Sequence, residues 1–204
     1  MAMFASFWRH GSNTVLLLIV LALIALFAAH ALAFAVPFGF ALLAIGALVF
    51  FVSEYTTHRF MLHAPPQKNA FVLRLQHRLH YDHHVNPSEL RLLFLPVWFV
   101  VPVAALTFGI YFAITRDAAA SVALLLGSVL GLLWYEWVHY VAHIPFVPKT
   151  PFGRWIKKYH LWHHFKNERM WFGVTNPSMD LVGRTYARVD EIDRSSTTRV
   201  LYPK

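Results

Sequence analysis

The chain alternates long apolar runs with short polar stretches, and four of the runs are long enough to cross a membrane. They extend roughly over residues 13–36, 38–57, 90–115 and 118–140, close to or above the roughly 20 apolar residues that a helix needs to span a hydrocarbon core. Pro37 and Gly39 break the helical pattern within residues 35–39, and Thr115, Arg116 and Asp117 break it again, so the runs pair into two hairpins. Between the hairpins, Ala64 to Glu89 opens with Pro65 and Pro66 and continues as a polar helix. Beyond the fourth run, Pro145, Pro148, Pro151 and Gly153 predict an irregular bend before one more helix. Residues 184–204 mix acidic and basic side chains and read as a solvated tail. The pattern predicts one all-α integral membrane domain over residues 1–204. In it, four transmembrane helices carry a cytoplasmic helical cap made from segments of about 58–89 and 141–183.

Composition agrees, with 57% hydrophobic and 14% charged residues and a mean hydropathy of +0.48. Arg9 followed by an apolar run and small residues at Ala31, Ala33 and Ala35 resembles a signal peptide. The run exceeds the roughly 7–15 residues of such a peptide, so it is read as a span. Of the 18 lysines and arginines, only Arg116 falls in a loop on the far side, and the positive-inside tendency places the other flanks in the cytoplasm. The net charge of +8 needs no nucleic-acid partner once that asymmetry is recognised. The absence of cysteine excludes disulfides and thiolate ligands.

The candidate chemistry lies in histidine. Ten of the 13 histidines form four clusters: His58 with His63; His80, His83 and His84; His139 with His143; and His160, His163 and His164. With about 100° per residue in a helix, each triplet occupies one arc, and His139 and His143 share a face. His58 and His63 would stand about 140° apart on an α-helix and need a helix end or bend to converge. His10 and His30 read as hydrogen-bonded core or interfacial residues, and His77 as a residue that supports the ligands from outside or adds polarity on the substrate side. Imidazoles packed together repel when protonated and leave lone pairs unmatched when neutral, so the clusters predict metal binding. Ten ligands are too many for one ion, and two ions with about five imidazoles each is the natural count. Nitrogen ligands suit zinc, copper, iron or nickel, but a structural zinc site closes with four; so many ligands point to redox chemistry. Glu54, Glu136, Asp82 and Asp180 are candidates to orient the rings from outside. Trp134, Trp137, Tyr140, Trp162 and Trp171 are candidates for a substrate entrance or an interfacial belt. Lys157, Lys158, Lys166 and Arg169 are candidates for docking an acidic electron donor or a lipid head group.

The segments around His58 to His63, His80 to His84, Tyr135 to His143 and Tyr159 to His164 resemble the fatty acid hydroxylase/sterol desaturase superfamily of membrane di-iron enzymes. The stretch from Phe172 to Asp180 is similar to the fatty acid and ceramide 2-hydroxylase branch. The resemblance implies two iron ions held by the ten histidines, with zinc able to replace them in purified protein. It further implies insertion of one oxygen atom from O2 into a membrane lipid acyl chain, as in fatty acid or sphingolipid 2-hydroxylation. A fused cytochrome b5 domain has no room here, so electrons are expected from a separate ferredoxin or cytochrome b5-like protein. Residues 176–179 and Pro65-Pro66 depart from the family pattern. Carotenoid or sterol hydroxylation or desaturation is the rival within the superfamily. Outside it the rival is a membrane metal transporter, whose sites lie near the bilayer midplane rather than at one membrane face.

Overall fold

The computed structural model describes residues 2–30 and 36–202, and every regular element among them is helical. In chain order these are α1 (Ala2–Arg9), α2 (Gly11–His30), α3 (Val36–Thr57), the π-helical turn π1 (His58–Leu62), α4 (Ala70–Gln76), the π-helical turn π2 (His77–Tyr81), α5 (Asp82–Val85), α6 (Leu90–Leu93), α7 (Val97–Thr115), α8 (Ala118–His143), α9 (Pro151–Phe165) and α10 (Ser178–Val182). Four stretches are long and apolar enough to span a membrane: Gly11–Ala29, Phe38–Leu62, Leu90–Thr115 and Ala118–His143. The chain divides into two compact units, residues 1–51 with 95–136 and residues 52–94 with 137–204.

The first unit holds most of the apolar helices. In α8, 61% of the spanning window is buried, against 17–22% in the other three, so α8 is the central helix and its neighbours turn apolar side chains outward. Leu16, Val20 and Leu23 of α2, Val100 and Tyr111 of α7, and Leu124, Leu125 and Val129 of α8 form its core. In lipid the hydrophobic effect does not hold helices together, so close backbone approach and buried hydrogen bonds must do so. Gly46 of α3 and Gly127 of α8 supply the approach: a Cβ on either would overlap the carbonyl oxygen of Leu124 or Leu43, respectively. The Ser128 hydroxyl donates to the Gly46 carbonyl at 2.9 Å and lies 2.7 Å from the Tyr111 hydroxyl. Between α7 and α8, Arg116 takes the left-handed conformation at φ 54°, and the Asp117 carboxylate accepts the Ala120 amide at 2.8 Å. The second hairpin therefore turns where the sequence predicts.

Two other boundaries differ. Val36 to Gly39 already belong to α3, because a proline fits the first turn of a helix, where its missing N–H is not needed; residues 31–35 lie outside the described residues. The third run is also interrupted: α6 ends at Leu93, and Pro96 is the extended residue that precedes α7, since proline cannot continue a helix whose carbonyl it would clash with.

The second unit contains the polar helices. In α9 the Thr150 hydroxyl accepts the Gly153 amide at 3.0 Å and Pro151 occupies the first turn, a start that suits both residues. Lys157 is engaged within the fold: its ammonium donates to the carbonyls of Val141, Ile144 and Phe146 at 2.7–2.9 Å, covering acceptors that the end of α8 leaves unpaired. Most of residues 184–202 is exposed, but not all of it. Thr185, Thr198 and Leu201 are buried, and the side chains of Thr185, Ser195, Thr197, Arg199 and Tyr202 bond groups elsewhere in the same unit.

Candidate metal centre

The four histidine clusters converge in the second unit as two groups of five. His58, His63, His80, His84 and His163 form one, and His83, His139, His143, His160 and His164 the other, with ligand atoms in each within 4.8 Å of one another. Local helix geometry produces this. The His63 amide donates to the His58 carbonyl at 3.0 Å, the i→i+5 bond of a π-turn. The extra residue in the turn brings two histidines five apart onto one side, supplying the bend their spacing requires. In the same way, the amide of Asp82 bonds the His77 carbonyl at the end of π2, just before the triplet's last two members. Each triplet is divided: His80 and His84 serve the first group and His83 the second, while His163 serves the first and His160 with His164 the second.

Hydrogen bonds orient the rings of the first group. The Nδ1–H groups of His58, His84 and His163 donate to the carbonyls of Phe172, Thr198 and Met170 at 2.5, 2.9 and 2.8 Å. A neutral imidazole carries one proton, so the Nε2 atoms of these three rings are bare lone pairs. His80 Nε2 lies 3.2, 2.7 and 3.0 Å from those of His58, His63 and His84, and His63 Nε2 lies 3.0 Å from that of His163. One proton on His80 cannot serve three neighbours, whereas a cation among the lone pairs serves them all. In the second group, His139 and His83, and His143 and His160, approach through Nε2 at 2.9 Å. His164 is fully buried with no hydrogen bond to either ring nitrogen among the described residues, a costly state for an imidazole that is not a ligand.

The spacings also bear on coordination number. With metal–nitrogen bonds of about 2.0–2.1 Å, ligands at right angles stand about 2.9 Å apart and tetrahedral ones about 3.4 Å. The observed 2.7–3.2 Å fits five or six ligands better than a closed tetrahedral site. Burial, followed by the neighbouring imidazoles, holds His80 well below the ordinary histidine range, and burial pushes His83 down to about 3. These rings are neutral at pH 7, the form in which an imidazole can accept a metal.

The carboxylates do something other than the sequence predicts. Glu54 accepts the Val174 amide at 2.7 Å, the Thr175 amide at 2.9 Å and the Thr175 hydroxyl at 2.5 Å, rather than a histidine ring. Asp180 accepts the amides of Phe172 and Gly173 at 2.8 and 2.7 Å and the Thr185 hydroxyl at 2.7 Å. Together they clamp four consecutive amides, 172–175, and so fix the carbonyl that receives His58. Gly173 is required there, because a Cβ would overlap the Asn176 carbonyl. Glu136 accepts the Leu95 amide at 3.0 Å. Asp82 pairs with His77 at 2.9 Å, both half-exposed, rather than with the triplet around it.

The five predicted aromatics do not line the cleft that reaches the histidines. Trp171 is fully buried, its indole donating to the Ala187 carbonyl at 2.9 Å, and Tyr140 is buried against Phe94 with ring centroids 5.6 Å apart. Trp162 packs 5.9 Å from Trp171, Trp137 packs 6.1 Å from Tyr140, and Trp134 is exposed. A cleft of about 270 Å³ does reach His63, but it is lined by Arg59, Phe60, Glu168, Arg169, Phe172, Leu201 and Tyr202. The carbonyls of Met170, Phe172 and Thr198 carry no sequence signal, since every residue has one.

Fold and site together define an integral membrane protein with two adjoining histidine groups built to hold metal. The sequence model of the fatty acid hydroxylase family matches residues 43–185, and the chain belongs to that family. It is 33% identical over 142 residues to a dihydroceramide fatty acyl 2-hydroxylase of Arabidopsis thaliana, covering 69% of this chain and 58% of the relative. Identity is 33% over 153 residues to a ceramide very long chain fatty acid hydroxylase of Saccharomyces cerevisiae, covering 73% and 38% respectively. A fatty acid 2-hydroxylase of Rattus norvegicus is 30% identical over 141 residues, covering 68% and 37%. The chain thus spans between about two-fifths and three-fifths of these relatives' lengths. A solved structure of full-length scs7p, with only the hydroxylase domain visible, is similar at a TM-score of 0.81 and 28% identity, covering 93% of this chain and 69% of that one.

Proposed function

We propose that this protein hydroxylates a lipid acyl chain at the carbon next to its carbonyl. One atom of O2 enters the C–H bond and the other leaves as water, with two electrons and two protons supplied from outside. The observation that carries the reading is the pair of five-histidine groups whose Nε2 lone pairs converge. The names of the relatives support the substrate class and the position of the new hydroxyl.

The ten histidines would hold two iron ions, which supply the redox chemistry that activates O2; zinc on the same nitrogens has no accessible redox change. The chain's own contribution is orientation and exclusion of water. The carbonyls of Phe172, Thr198 and Met170 hold three rings in the tautomer that leaves Nε2 unprotonated. Glu54 and Asp180 hold the backbone that presents one of those carbonyls. The basic flanks of the spans support a cytoplasmic position for the histidine groups, within reach of a separate ferredoxin or cytochrome b5-like donor.

The test is His163→Ala in membranes expressing the protein, with lipid products followed by mass spectrometry and metal measured on the purified chain. Loss of the 2-hydroxy product together with lowered metal content is expected. Undiminished product with unchanged metal content would refute the assignment.

A further inference from the structure

The family match ends at residue 185, yet residues 195–202 are built into the histidine site. The Ser195 amide donates to the Lys166 carbonyl at 2.8 Å. The hydroxyls of Ser195 and Thr197 both donate to Glu168 Oε1, at 3.0 and 2.5 Å, and Glu168 is 3% exposed. The Arg199 guanidinium donates to the Val85 carbonyl at 2.6 Å. The Tyr202 hydroxyl donates to the His63 carbonyl at 2.7 Å, and the Thr198 carbonyl accepts His84 Nδ1–H at 2.9 Å.

These contacts have a pattern. Val85 and His84 lie at the end of α5, Lys166 and Glu168 follow α9, and His63 follows π1. The segment ties the ends of α5 and α9, which carry histidines of both groups, to the chain just past π1, and among these bonds the one to an imidazole ring is to His84 of the first group. None of these bonds reaches a ring of the second group. Thr198 is buried, so its carbonyl is shielded from competing water, and a hydrogen bond of this kind fixes ring orientation and raises ligand basicity.

We propose that residues 195–202 form a strap that positions the first histidine group for metal, and that losing the strap weakens metal binding in that group while sparing the second. The inference rests on the two-ion reading above. Thr198, Tyr202 and Glu168 are positioning residues: they act through His84, His63 and the strap backbone, respectively.

The experiment reads metal rather than activity. The 204-residue chain in detergent is loaded with zinc ions as a redox-silent probe, and bound metal is counted before and after timed exposure to a chelator. The intact chain should hold two ions, and a chain ending at Arg194 should hold one. That shorter chain carrying His84→Ala should still hold one, whereas with His160→Ala it should hold none. If the shorter chain does not fold, Glu168→Ala and Tyr202→Phe preserve its length. Each should release one ion about 10- to 100-fold more readily and leave the other unchanged, with Glu168→Gln, which keeps an acceptor oxygen, closer to wild type than Glu168→Ala. Two ions retained at the wild-type rate in these variants would overturn the proposal, as would equal weakening of both. Fewer than two ions on the intact chain would instead refute the two-ion reading.

Discussion

Replacing Asp180 with asparagine tests whether the clamp on residues 172–175 supports the metal centre. The carboxylate accepts three bonds, from the Phe172 and Gly173 amides and the Thr185 hydroxyl. Asparagine keeps one oxygen, which can occupy the position that receives Phe172 and Thr185, and it turns an N–H₂ group toward the Gly173 amide. One buried amide is then unpaired, at a cost of about 1–3 kcal/mol, which makes the loop open about 5- to 150-fold more often. Alanine leaves both amides unpaired, at about 2–6 kcal/mol. The Thr185 hydroxyl still has the Tyr55 hydroxyl at 2.8 Å, so it adds little. Hydrogen exchange measured by mass spectrometry on peptides covering residues 170–176 reads the opening directly. Protection should fall in the order wild type, Asp180→Asn, Asp180→Ala, with metal retention following it, because the same loop carries the carbonyl that orients His58. Wild-type protection in Asp180→Ala would refute the clamp; lost protection with unchanged metal retention would refute its link to the metal.

Gly127→Ala should loosen the first unit, because its methyl must displace the Leu43 carbonyl; a lower thermal midpoint in detergent is expected, and a surface alanine control should show no loss. The metal-free protein should lose stability as pH falls. Burial holds His83 at about 3 and His84, His160 and His163 well below the ordinary histidine value, while the unfolded chain titrates near 6.5. Protons therefore favour the unfolded state below about pH 6.5, by up to about 1.4 kcal/mol per pH unit for each ring, until the folded value is reached. Stability should be flat above that pH, and metal release should accelerate in the same acidic direction; pH-independent release between 7.5 and 5 would contradict the ligand assignment.

The four apolar runs and the ten clustered histidines were legible because composition and spacing encode them directly. The bend needed between His58 and His63 was legible as a requirement, though not as a π-turn. The partners of the carboxylates were not, since Glu54 and Asp180 bind backbone amides whose positions depend on the folded loop. The strap was hidden for a related reason. Ser195, Thr197 and Tyr202 read in sequence as hydroxyls facing water, and only the fold supplies the buried Glu168 and the carbonyl of His63 that they meet. Division of each triplet between two groups was equally hidden, because side chains on one helical arc can still reach different neighbours.

The π-turn at residues 58–62 makes residue count as binding as residue identity. Upstream of it, α3 keeps an α-helical phase; downstream, the chain is offset by one residue, and His63 faces the first group only because of that offset. A single-residue insertion between His58 and His63 would exceed the one extra residue that the π-turn absorbs and swing His63 about 140° away, even with all ten histidines still present. Tolerance here is therefore asymmetric: an altered side chain, or the loss of the extra residue to give an i,i+4 pair, can leave both rings on one face, but an added residue cannot.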